Sequence, residues 1–98
     1  MEMSKEIIRG LAKTIIDGIK DAQMQLDYAE EAMEHGEKEI AAMHNAEAHK
    51  RIEGVKTWYE YAINKVGKRE HDPAYEAMED HYREWARKIK ERISEHKY

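Results

Sequence analysis

The chain has 98 residues, enough for one small domain around a single modest core. Charged residues make up 39% of it and apolar ones 41%, with one proline and five glycines, a balance that suits long amphipathic helices and argues against a sheet. Cysteine is absent, which excludes disulfides and thiolate metal sites, and a net charge of −4 provides no general attraction for nucleic acid.

Ser4 is suited to cap a helix start, and an apolar rhythm runs from it to His35. Gly36 then offers the left-handed conformation that ends helices. A second helix is predicted over 38–66, closed by Gly67 in the same way. Asp72 and Pro73 open a third, as N-cap and first helical residue, which runs to 96. At about 1.5 Å per residue the rods measure roughly 48, 43 and 36 Å, similar enough to lie side by side. No continuous apolar run marks a signal peptide or a membrane span. Together with the missing cysteines, this makes a cytoplasmic location the expectation.

The apolar spacing carries the fold. In the first helix Ile8, Ala12, Ile15, Ile19, Ala22, Leu26, Ala29 and Met33 alternate steps of four and three. The second repeats that rhythm through Ala41, Asn45, Ala48, Ile52, Val55, Tyr59, Ala62 and Val66. Such alternation is the mark of a coiled-coil-like seam. Folding the chain back at residue 37 sets each seam residue opposite a partner: Leu26 meets Ala48, and Ile19 meets Val55. Tyr75, Met78, Tyr82, Trp85, Ile89, Ile93 and His96 of the third helix continue the pattern, with Tyr82 opposite Tyr59 and Trp85 opposite Val55. The reading is a single domain over 1–98, all-α, an antiparallel up-down-up three-helix bundle.

Charge agrees with this topology. Residues 21–48 carry eight acids and one base, while 82–98 carry six bases and three acids, and an up-down-up order puts both at one end. Each exposed pair contributes little, but the sum biases the arrangement.

The stretch HGEKEIAAMHNAEAH at 35–49 raises the question of a metal site. Glu30, His44, His49 and His96 could gather near Asn45 as imidazole and carboxylate ligands, completed by dimerisation. Against this, His44 and His49 are five apart, whereas ligands sharing a helix face want three or four, and no Glu-x-x-His occurs. The plainer reading is a solvated polar cover, with His35 placed to favour the negative end of its helix. Asn45 within the seam is either a register device, a solvated side chain or one hydrogen-bonded to His96. No metal or cofactor is expected. Nor is an enzyme, since no serine or threonine pairs with a base, and the acidic pairs Glu31/Glu34 and Glu76/Glu79 fall at opposite ends of the bundle.

Three aromatic side chains fall off the seams: Trp58, Tyr61 and Tyr28. Trp and Tyr are enriched at binding hot spots, which makes these the expected contact residues, with Trp58 covering the core edge against the third helix as the plainer alternative. Leu11 and Ile16 widen the stripe of the first helix, and any width not used internally would form a homodimer contact. The basic third helix, REWARKIKER, sets up a nucleic-acid reading, but its bases are expected to answer the acids of the first helix. The expectation is a small non-enzymatic module that binds another protein, as an adaptor or a stoichiometric inhibitor.

Overall fold

The computed structural model describes residues 4–66 and 72–95, with side chains as far as Arg92. Helix α1 (Lys5–Glu34) begins at Ser4, whose hydroxyl accepts a hydrogen bond from the Ile7 N–H at 3.3 Å. It stops at a Schellman turn. Gly36 takes φ +73°, its N–H donates to the Met33 carbonyl at 3.0 Å, and the Glu37 N–H donates to the Ala32 carbonyl at 2.9 Å. The Ala41 N–H then donates to the Glu37 carbonyl, opening helix α2 (Lys38–Val66). Helix α3 (Pro73–Glu95) starts at Asp72, whose carboxylate accepts from the N–H groups of Ala74 and Tyr75. The three boundaries agree with the sequence reading to within a residue. Gly67, His71, His96 and the Ile93 side chain lie outside the described residues.

Seven of the eight predicted seam positions of α1 are buried, from Ile8 to Ala29. The eighth is a correction: Met33 is 38% exposed, and Ala32 is buried in its place. A straight helix turns 3.6 residues per turn, so a 3.5-residue stripe drifts until its last member rotates out. In α2, Ala41, Ala48, Ile52, Val55 and Ala62 are buried, whereas Asn45, Tyr59 and Val66 are only partly so. Asn45 is therefore not the buried polar device that its seam position suggested. Tyr75, Met78, Trp85 and Ile89 complete the core from α3. Leu26, Ala48, Val55 and Trp85 all belong to one buried cluster. Leu11 and Ile16 pack against it, so the extra width of α1 is used inside the molecule.

The molecule is 52 Å long and 19 × 17 Å across. Helix α1 is its spine, packed against both α2 and α3, while among the described residues no Cα of α2 lies within 8 Å of one in α3. Large side chains bridge that wider gap. Tyr59 and Tyr82 stack with ring centres 3.7 Å apart and planes 6° from parallel, and Tyr82 leans on Trp85 at 5.5 Å. Between α1 and α2 the spacing is set by Gly18. A Cβ there would sit 2.8 Å from Val55 Cγ2. At the turn end, Arg92 of α3 donates to Glu30 at 2.8 Å and to Asp27 at 2.6 Å. Among the described residues, the predicted end-to-end charge match rests on one arginine holding two acids. Three other bases of α3 pair within the helix: Arg83 with Glu79, Arg87 with Glu91, Lys88 with Glu84.

Two buried polar atoms have no hydrogen-bond partner among the described residues, Tyr75 Oη and Trp85 Nε1. Burial pushes the Tyr75 phenol up to about 12, with the nearby Glu79 charge adding to it. An unfolded tyrosine loses its proton near pH ~10, so between there and 12 the unfolded chain binds fewer protons and stability falls as pH rises. Tyr75→Phe should therefore flatten the decline in melting temperature above pH ~10 while costing little at neutral pH, where it removes an unpaired hydroxyl. The glycines provide a second test, by urea denaturation. Gly10→Ala and Gly54→Ala, where a Cβ meets nothing within 4 Å, should each stabilise by about 0.5–1 kcal/mol. Gly18→Ala should destabilise, because the added Cβ would lie 2.8 Å from Val55 Cγ2 and a β-branched side chain has little rotamer freedom to turn aside.

Candidate functional site

Helix α3 covers only one edge of the α1–α2 hairpin. Tyr59 faces α3, and the preceding residue, Trp58, is turned 100° away by helix geometry. The uncovered edge carries a second stripe of alternating steps. On α2 it reads Ile40, His44, Glu47, Arg51, Gly54, Trp58 and Tyr61. On α1 it reads Ile7, Gly10, Thr14, Asp17, Asp21, Met24, Tyr28 and Glu31. Ile7, Met24, Tyr28, Ile40, Trp58 and Tyr61 are all large, apolar or aromatic, and exposed.

Two hollows indent this edge. One, of about 350 Å³, lies between Thr14, Asp17, Gly18 and Asp21 on α1 and Arg51, Gly54, Val55 and Trp58 on α2. Gly18 and Gly54 form its floor, and Trp58 forms one wall. The other, of about 300 Å³, sits at the turn between Tyr28, Glu31, Ala32, His35, Glu37, Ile40 and His44. Between them the helices are tied by polar links. Arg51 bridges Asp21 at 3.2 Å and Glu47 at 3.3 Å, and His44 Nδ1–H donates to Gln25 Oε1 at 2.8 Å.

The three expected contact residues divide between the hollows. Trp58 and Tyr61 meet edge to face at 5.8 Å and 86°, 47% and 42% exposed. Tyr28, 44% exposed, leans instead on His44 at 5.3 Å. At 1.5 Å per residue, the fourteen positions from His44 to Trp58 place it about 20 Å along the groove. Trp58 lies away from α3 and does not cover the core against it. The groove residues Asp17, Asp21, Arg51 and Ile40 were not singled out from the sequence. The signal for them was the second stripe, which is hard to see because its middle is charged and glycine-bearing, not apolar.

The proposed metal ligands do not converge. Glu30 is held by Arg92, His44 by Gln25 and Tyr28, and His49 is exposed, while His96 lies outside the described residues. Among the described residues, no three His, Asp or Glu side chains surround a common point. No described helix is long and apolar enough to cross a membrane.

His35 is the titrating group of the turn. Its Nδ1–H donates to the Glu31 carbonyl at 2.8 Å, which raises its pKa above the ordinary imidazole value, helped by the charges of Glu31, Glu37 and Glu34. A raised folded pKa means a stabilising contribution that is complete at low pH and lost as pH rises through that value. In an NMR titration His35 should lose its proton at higher pH than a free imidazole, and Glu37→Gln should lower that midpoint. Thermal stability should show the matching small decrease, absent in His35→Gln. Comparison with known protein families, with curated proteins and with solved structures gives no match.

Proposed function

We propose that the protein is a small interaction module, an adaptor or a stoichiometric inhibitor, that binds another protein through the uncovered edge of the α1–α2 hairpin. One observation carries this reading: the Trp58–Tyr61 pair stands half exposed beside a glycine-floored hollow where no internal packing requires it. An indole buries up to about 250 Å², so covering the exposed half of Trp58 is worth on the order of 2–3 kcal/mol at 25 cal/mol/Å². That makes it a natural anchor. The polar links of Arg51 and His44 hold both walls, so little conformational freedom is lost on binding. The module works by a rigid surface and not by chemistry, and a cysteine-free chain suits action in the cytoplasm.

The test is capture of partners from the native cell with the full chain as bait. Trp58→Ala combined with Tyr61→Ala should leave the circular dichroism and melting temperature nearly unchanged and reduce capture by tenfold or more, the loss of about 1.4 kcal/mol or more. Undiminished capture by the double variant would remove this face from the function. Loss of folding would make the two residues part of the core.

A further inference from the structure

We propose that the partner presents a basic amphipathic helix, which lies along the groove and completes a four-helix arrangement. The proposal rests on the reading of this edge as the binding face and names what occupies it.

The shape selects a helix. The two hollows lie about fourteen residues apart along both walls, roughly 20 Å, which is two heptads of a helix lying parallel to them. One large apolar side chain of the partner would enter beside Trp58 and Gly54, and another, two heptads away, beside Tyr28 and Ile40. Among the described residues there is no strand, so pairing of an extended peptide with a sheet edge is not available. The chain already seats one helix this way: α3 lies along the opposite edge with an apolar stripe against the hairpin.

The charge selects a basic one. The hollows are lined by four carboxylates, Asp17, Asp21, Glu31 and Glu37, against one guanidinium, Arg51, and two imidazoles, His35 and His44, so acids predominate at neutral pH. Arg51 is already held by Asp21 and Glu47. Asp17, Glu31 and Glu37 make no ion pair with lysine or arginine among the described residues. On the opposite edge the corresponding acids of α1, Asp27 and Glu30, are answered by Arg92 of α3. A partner helix with lysine or arginine flanking its apolar stripe would answer this set likewise.

A second copy fits less well. Two copies meeting through this edge would bring Asp17, Glu31 and Glu37 of each toward the same acids of the other. The outer face of α3 cannot substitute, because no large apolar side chain of α3 is exposed among the described residues.

The experiment uses the full chain and two labelled synthetic helices of about 21 residues, with identical leucine stripes, one flanked by lysine and the other by glutamate, compared by fluorescence anisotropy. The lysine helix should bind at least about tenfold more tightly than the glutamate helix. Gly54→Leu, which fills the hollow from a position where a Cβ meets nothing within 4 Å, should weaken it tenfold or more. The combined D17N, E31Q and E37Q variant should bring the two helices to within about threefold. Equal or tighter binding of the glutamate helix would overturn the basic partner while leaving the groove as a helix seat. Binding unaffected by Gly54→Leu would overturn the seat itself. If neither helix binds while cellular capture still depends on Trp58 and Tyr61, the face stands and the helical occupant falls. Sedimentation supplies the last arm: a dimer of the free chain that Gly54→Leu dissociates would assign the groove to a second copy.

Discussion

The close approach of α1 and α2 governs the rest of the molecule. Gly18 lets Val55 come so near that even a methyl group would collide with it. Toward the turn the contact is made by Ala29, Ala32, Ala41 and Ala48, all buried. Small residues over this length allow two rods of about 30 residues to lie flush, and the Schellman turn at Gly36 sets which residues meet. A pair of helices packed so tightly cannot close a core by itself. Its broad residues, Ile8, Ile15, Ile19 and Ile52, join Trp85, Met78 and Tyr75 of α3 in one buried cluster.

That division of labour creates an asymmetry between the two edges of the hairpin. On one edge α3 supplies an aromatic stack and a doubly paired arginine. On the other the ridge residues are glycine, aspartate and aromatic, and nothing in the chain's described part lies over them. A glycine in a helix interior costs about 1 kcal/mol against alanine. At Gly18 the return is the close helix contact. At Gly54 there is no internal return, and its effect is to deepen a hollow beside an exposed indole. A local rule broken without structural compensation is where function is most often found.

The electrostatics point the same way. Most ion pairs among the described residues are local, between residues three or four apart on one helix, and contribute a few tenths of a kcal/mol each. The long-range ones mark topology: Arg92 to α1 at the turn end and Arg51 to α1 at mid-length. Both draw on the acids of α1. That helix supplies carboxylates to both of its edges: Arg92 answers Asp27 and Glu30 on the edge against α3, whereas on the other edge Arg51 answers Asp21 and no lysine or arginine among the described residues pairs with Asp17 or Glu31.

The seams were legible from spacing alone, because a run of four-three steps on an amphipathic background admits one helical face, and a glycine at 36 admits one point of return. The Tyr59–Tyr82 level and the capping of two helix starts, at Ser4 and Asp72, were determined at that level. The limit of the method shows at Met33 and Asn45, where the stripe drifts off the contact and the nominal seam residue is no longer fully buried. The aromatic candidates were also legible, as residues off the seam, but not which edge they occupy. Only packing of three helices together decides that, since it puts Trp58 across the hairpin from α3 and makes a groove of Gly18, Gly54 and the two acids beside them. Periodicity reports each helix against its own axis, whereas a groove is a relation between two axes and the place where a third is missing.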